Sequence, residues 1–283
     1  MPYYHMESHR LLNNQTVGII PTEQTDLGLH SHSFTELVLV SSGTGIHVTK
    51  NHEFELNRHN IFVIKEGQSH GYRNCKNLQI INLLFHLKEL HQQNPDLTSL
   101  PGYHALFYLE TAMRLGNLQQ EHIMLSTEQW TVITGKIDLL NRELEAKKPG
   151  FKVLSKALLI EIITLCSRYY MDSDSPLHRV GQLAELFSWL EEHYNEKIYT
   201  HELTGIANMS LSALQRQFKE ITGLRIVDYI NRIRIDRAAE LLRTNNRAIY
   251  EIAYSVGFED SNYFSRLFKK EKGLSPRTWR KRP

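Results

Sequence analysis

Two sets of side chains in this sequence have the types and spacing to do chemistry. The first is His30-Ser-His32-Ser-Phe-Thr-Glu36, joined by His70 in Gly67-Gln-Ser-His70-Gly-Tyr72-Arg73-Asn74. His30 and His32 stand two apart on an expected strand and so share a face. A bend between His32 and Glu36 can bring the carboxylate beside them. Imidazole nitrogens with one carboxylate oxygen suit a first-row metal, whose ligands would be His30, His32, Glu36 and His70. The same four groups, with Tyr72 and Arg73, can instead contact a small polar ligand without any metal or cofactor. A plainer alternative stays open, in which the histidines are satisfied by hydrogen bonds inside a small barrel.

The second set is an internal repeat. Leu214-Gln-Arg216-Gln-Phe218-Lys219-Glu-Ile-Thr-Gly223-Leu224 recurs as Phe264-Ser-Arg266-Leu-Phe268-Lys269-Lys-Glu-Lys-Gly273-Leu274, always 50 residues on. In each copy an apolar pair four residues apart marks a buried helix face. The opposite face carries Ser212, Gln215 and Arg216, then Ser261, Asn262, Ser265 and Arg266. Arg can bind guanine bidentately, Asn and Gln can bind adenine, and Ser serves either, so these types suit the edges of base pairs. Lys219, Lys269 and Lys270 are placed for phosphates. The bland counterpart is a helical interaction domain with a solvated basic face, or one in which Arg216 and Arg266 pair with nearby carboxylates.

The elements around these sets follow from periodicity. Short runs rich in Val, Ile and Phe at 36–40, 45–49, 60–64 and 78–85 predict strands of a barrel or sandwich. Ser126 to Gln129 predicts a helix start, and Trp130, Ile133, Ile137, Leu140 and Leu144 continue it to Ala146, before Lys147-Lys-Pro-Gly150. A second helix is expected over about 153–170. Asp172 to Pro176 predicts a linker. Beyond it, each repeated helix follows a short helix and a tight turn, at Asn208 and at Gly257, with Ser210 and Asp260 as caps. Val227 to Leu242 forms the helix between the two units. A helix of about 20 residues spans ~30 Å, close to the ~34 Å helical repeat of B-DNA.

Charge divides the same way. Residues 178–283 hold 18 Lys+Arg against 13 Asp+Glu, whereas the rest holds 15 against 18. Only the back half is suited to a polyanion. Twelve of the 15 histidines precede residue 178. The two cysteines, Cys75 and Cys166, form no disulfide framework, and neither a signal-peptide core nor an apolar run of membrane-spanning length is present; a cytoplasmic protein is the expectation.

Residues 178–283 resemble the DNA-binding domain of the AraC/XylS family of transcription regulators. The resemblance is carried by Met209-Ser210, Leu214-x-Arg216-x-Phe218-Lys219, Ile252-Ala253-x-x-Val256-Gly257-Phe258-x-Asp260, Phe264-x-Arg266-x-Phe268-Lys269, and Gly273-Leu-Ser-Pro276 with Trp279-Arg280. His30 to Gly43 and Gly67 to Asn74 resemble the two cupin motifs, departing where Lys65 stands in place of a common proline. The segment from Leu29 to Asn82 is similar to the rhamnose-responsive branch of the family.

Together these imply an α+β chain of two domains. A cupin-like β-barrel with a helical dimerisation element occupies 1–171, a linker 172–177, and an all-α domain with two helix-turn-helix units, at about 200–221 and 248–272, occupies 178–283. The expected partners are promoter DNA, a small sugar effector such as L-rhamnose, a second copy of the chain through the seam at Ile133, Ile137, Leu140 and Leu144, and RNA polymerase. That seam packing on its own barrel is the alternative to dimerisation. Two other readings compete with regulation: a metal-dependent cupin enzyme acting on a sugar, and a sensor whose C-terminal helices bind a protein.

Overall fold

The computed structural model describes residues 4–6, 17–50, 52–87, 89–90, 94–109, 123–172 and 178–281. They group into two units, Met1–Ala184 and Glu185–Pro283. Residues 173–177 of the expected linker lie outside the described residues, and the division falls after Ala184, within helix His178–Glu192. Among the described residues no helix is long and apolar enough to cross a membrane.

Among the described residues the first unit is built on an eight-stranded sheet: β1 (Tyr4–Met6), β2 (Val17–Gln24), β3 (Leu27–His32), β4 (Thr35–Thr49), β5 (Glu53–Leu56), β6 (Asn60–Ile64), β7 (His70–Phe85) and β8 (Ile123–Met124). The pairing order is β1-β3-β7-β4-β6-β8, with β2 also on β7 and β5 on β4. β4 and β7 are therefore the spine. The runs at 36–40 and 45–49 belong to the single strand β4, and β7 begins at His70 rather than Leu78. The stretch between the two runs is bulged, not broken. The β4–β7 register shifts between Val40 and Ser42, Ser42 and Thr44, and Thr44 and Ile46. Gly43 sits at φ +75°, and a Cβ there would lie 2.1 Å from the Asn77 carbonyl oxygen, so this crossing admits only glycine. Val38, Val40, Leu56, Phe62, Ile64, Leu78 and Ile80 fill the core between the strands.

Two helices follow, α1 (Thr127–Ala146) and α2 (Phe151–Asp172). Ser126 and Gln129 close a reciprocal capping box, and Lys147 ends α1 in the left-handed region at φ 48°. Ile133, Ile137 and Leu140 are buried within the protomer, and α1 packs on α2. Three of the four seam residues are thus covered within the chain, where the sequence offered a second copy or the chain's own barrel as their partner, and the fourth, Leu144, is half-buried. On the other side of α1, Val132 and Leu139 are exposed.

The second unit is helical. The helix that straddles the division, α3 (His178–Glu192), contributes Phe187 and Leu190. It is followed by α4 (Thr200–Ala207), α5 (Leu211–Thr222), α6 (Ile226–Thr244), α7 (Ile249–Ser255), α8 (Ser261–Lys272) and α9 (Pro276–Arg280). α4–α5 and α7–α8 are the two helix-turn-helix units. Asn208 takes φ 48°, ψ 45° to turn between α4 and α5. Gly257 takes φ +92° between α7 and α8, and a Cβ there would come within 2.9 Å of Arg234 Nε and of the Asn195 backbone. Unbroken, α6 serves both units. Its first half contributes Ile226, Ile230 and Ile233; its second half contributes Ile235, Ala238, Ala239 and Leu242 to a cluster with Ile252, Val256, Phe264 and Phe268.

Gly257→Ala is expected to destabilise the helical unit by about 1–3 kcal/mol, because it combines a strained φ with a backbone clash. The readout is the urea midpoint of the full chain followed by circular dichroism. An unchanged midpoint would show that the turn relaxes freely.

Candidate nucleic-acid interface and barrel site

Each repeated helix is held by one face and free on the other. In α5 the Ser210 hydroxyl accepts from Ala213 N, starting the helix. Leu214 and Phe218 are fully buried, with Phe187 stacked on Phe218 at 4.8 Å and Tyr229 edge-on to it at 5.3 Å. That fixes the rotation of α5 and leaves Ser212, Gln215, Arg216 and Lys219 exposed. In α8 the Asp260 carboxylate accepts from Asn262 N at 2.6 Å and Tyr263 N at 3.1 Å. These bonds, with Arg266 nearby, hold the Asp260 carboxyl below its ordinary value. Phe264 and Phe268 are buried; Asn262, Arg266 and Lys269 are exposed, and Ser261 and Ser265 are half-buried. Arg216 and Arg266 make no hydrogen bond or ion pair among the described residues. The alternative in which they are tied to carboxylates therefore lacks its contacts.

Sequence reasoning missed part of this surface. Ser261, Asn262 and Ser265 border an open recess of about 510 Å³ with Tyr250 of α7 and Arg277 and Arg280 of α9. Arg280 is partly committed, donating from Nη2 to the Arg247 carbonyl at 2.6 Å, whereas the Arg277 side chain is exposed. The signal was the short helix capped by Ser275, which places two arginines three apart on one face.

The arginines of α6 divide by role. Arg234 donates to the carbonyls of Tyr194 (2.6 Å) and Glu196 (2.9 Å), and Arg237 pairs with Glu191 at 3.4 Å, so both brace the fold. α8 is fastened to α6 at both ends, by Asn231 donating to the Tyr263 hydroxyl (3.3 Å) and by the Asp236–Lys272 ion pair. These ties hold the second reader in place against the connecting helix.

In the first unit, β3, the start of β4 and the start of β7 bring His32, Glu36 and His70 together. His32 Nε2 lies 3.5 Å and His70 Nε2 4.0 Å from Glu36 Oε2. His30 lies against His70 with the two rings tilted, ring centres 4.1 Å apart. All four residues are buried. Each imidazole meets a backbone carbonyl through Nδ1: His30 with Gly28 (3.2 Å), His32 with Phe34 (2.7 Å) and His70 with Gln68 (3.3 Å). Burial pushes the His30 imidazole below its ordinary value, against the raising effects of the Gly28 carbonyl and Glu36. Burial, with the neighbouring His30, His47 and His32, holds His70 well below.

Tyr72 joins the set from β7, its ring 6.2 Å from His70. Arg73 does not. Side chains alternate along a strand, so Arg73 points to the opposite face, half-exposed and paired with Glu53. His47 of β4 was not foreseen. It is fully buried, 5.9 Å from His70 and 5.5 Å from Tyr72 by ring centres.

With this geometry in hand, comparison with known proteins is informative. Residues 16–163 match the AraC-like ligand binding domain, and residues 203–282 match a helix-turn-helix domain. The chain is 32% identical over 257 residues to the HTH-type transcriptional activator RhaR of Pectobacterium atrosepticum, covering 90% of this chain and 86% of that protein. It is 29% identical over 250 residues to the HTH-type transcriptional activator RhaS of Salmonella schwarzengrund, covering 88% and 85%. Among solved structures, the C-terminal domain of the two-component response regulator yesN of Fusobacterium nucleatum aligns at 34% identity. It covers 34% of this chain and 94% of that one, with a TM-score of 0.32. The similarity to RhaR and RhaS runs through the β-domain as well as the helices, which sets aside the sugar-acting enzyme. With both halves matched in order, the chain belongs to the AraC family of DNA-binding transcription regulators.

Proposed function

We propose that this chain is a sugar-responsive transcription activator, acting as a cytoplasmic homodimer on promoter DNA. The observation that carries the DNA half is the pair of exposed polar stripes on α5 and α8, mounted on one continuous helix. In this reading Gln215, Arg216, Asn262 and Arg266 read base edges, assisted by Ser212, Ser261 and Ser265, while Lys219 and Lys269 contact phosphates. Nineteen residues of α6 span about 28 Å, so one protomer serves neighbouring turns of the major groove. Dimerisation would add effective concentration at paired half-sites, and the bound regulator would recruit RNA polymerase.

The effector half rests on the barrel site. With each Nδ1–H donated to a carbonyl, His32 Nε2 and His70 Nε2 are acceptors, and they face the Glu36 carboxylate. A pocket so rich in acceptors favours a ligand that brings hydroxyl donors and disfavours an anion. A monosaccharide fits that demand, with the Tyr72 ring available to pack on it. L-rhamnose is the first choice, on the likeness of the 29–82 segment to the rhamnose-responsive branch and on the names of the relatives RhaR and RhaS. Ligand would act by its different affinity for two arrangements of the chain.

Arg216→Ala and Arg266→Ala are each expected to lose about 1–3 kcal/mol of operator affinity with relaxed base preference at one position. Lys219→Ala should weaken binding to all sequences alike and reduce the salt slope by about one unit. Quantitative footprinting across a salt series separates these. Binding that hardly responds to salt would favour the protein-partner reading.

Deleting residues 1–176 should leave a folded DNA binder with no response to sugar, while the full chain gains thermal stability with L-rhamnose in a monosaccharide screen. A truncated chain lacking helical circular dichroism would contradict the domain assignment. A screen in which no sugar moves the midpoint would contradict the effector.

A further inference from the structure

We propose that the recess beside α8 holds a phosphate of the DNA backbone, gripped by Arg277 of α9 together with Arg280 and the Tyr250 hydroxyl of α7. The proposal rests on the DNA-binding reading above and adds residues which that reading does not use. About 510 Å³ lies open between the start of α7, the outer edge of α8 and the two arginines of α9. The polar groups lining it are hydroxyls, one amide and two guanidiniums, with no carboxylate. The carboxylates of the adjoining helix starts are occupied by backbone N–H groups: Glu251 accepts from Ala248 N at 2.8 Å, and Asp260 from Asn262 N and Tyr263 N. The amino end of α8 is thereby closed to an anion, and the attraction comes from the arginines. Guanidiniums with hydroxyl donors beside them match a phosphodiester.

α9 is short, but its orientation is fixed. Ser275 accepts from Thr278 N at 3.2 Å, Pro276 is buried, and Trp279 Nε1 donates to the Ala239 carbonyl of α6 at 3.1 Å. Arg277 and Arg280, three apart, then share a face on the recess. Arg280 is anchored through Nη2 on the Arg247 carbonyl, and its Nε is buried with no hydrogen-bond partner among the described residues. Arg277 is exposed. Ser261, Asn262 and Ser265, assigned above to base edges, border the same space, so a strand whose bases meet α8 carries its phosphates past Arg277. The 50-residue repeat makes this a feature of one unit. Gly223-Leu224 matches Gly273-Leu274, so α9 is the counterpart of the first turn of α6, with Arg277 at the place of Val227 and Arg280 at that of Ile230. Val227 is exposed and Ile230 buried. The second unit is therefore held to the backbone where its twin has apolar groups.

The probe is a duplex enriched by the wild-type full chain from a random-sequence pool, with a scrambled duplex of the same length beside it. Arg277→Ala and Arg277→Gln should each weaken binding to both duplexes by a similar factor, roughly tenfold at low salt for one charge-assisted contact. Each should also flatten the slope of log affinity against log salt concentration by about 0.9, the share of one phosphate. Tyr250→Phe should lower affinity by a smaller factor with the slope unchanged, since no charge is lost. Val227→Ala, at the matching place in the first unit, should do neither. Neutral methylphosphonate is then placed at one backbone position at a time on the enriched duplex. One position flanking the bases read by α8 should weaken the wild-type chain and leave Arg277→Ala unmoved. Circular dichroism confirms that the variants are folded. Affinity and slope unmoved in both Arg277 variants, a loss confined to the enriched duplex, or equal methylphosphonate penalties in wild type and variant would each overturn the proposal, while a steep wild-type salt slope leaves the DNA reading standing. A wild-type chain that enriches no duplex would overturn both.

Discussion

The helical unit depends on one constraint, that α6 must belong to two cores at once. Its early residue Tyr229 packs edge-on to Phe187 and to Phe218 of the first helix-turn-helix, and Ile235, Ala238 and Leu242 seat the second. A break in this helix would free the readers from each other. The structure guards against that outside the apolar stripe. Arg234 is buried to about half its extent and donates to two carbonyls ahead of α4, and it also lies over the Phe258 ring at 5.7 Å. Its guanidinium occupies the space beside Gly257, so the turn of the second unit, the connecting helix and the chain before the first unit are fixed by a single side chain. A charged group can be placed so far inward because its donors are satisfied there.

Much of this was legible in the sequence, and the reason is local. The 50-residue repeat, the caps Ser126, Ser210 and Asp260, and the left-handed turn at Asn208 all act within a few residues of themselves, and each appears where its chemistry predicts. The barrel was harder because bulges change the phase of a strand. Glu36 and His47 are an odd number of residues apart on β4, so strict alternation would put them on opposite faces. Three register shifts lie between them and bring His47 within reach of the same His70 that Glu36 approaches. Conversely Arg73, adjacent to Tyr72, was grouped with it by proximity in sequence when alternation separates them.

The α1 seam shows a different limit. Periodicity reveals that a helix has an apolar face but not what covers it. Ile133, Ile137 and Leu140 suit a second copy or the chain's own barrel equally well as a pattern; the short turn at Lys147 to Gly150 brings α2 back alongside α1, a packing that spacing within α1 does not reveal. The face left over, with Val132 and Leu139 exposed beside Gly135, carries too few apolar groups to have been noticed from spacing.

The chemistry of the barrel site constrains any ligand more tightly than its shape does. His32, His70 and Glu36 present acceptors to one another because three outer nitrogens, His30 included, are already donating to backbone carbonyls. The pocket must then be completed by something that brings positive charge or protons. Sugar hydroxyls can do so directly, each donating to one acceptor. Within the proposed function, the backbone-fixed tautomers make His32 and His70, beside Glu36, the acceptors for a polyhydroxylated ligand, and the rings of His30, His47 and Tyr72 surround them.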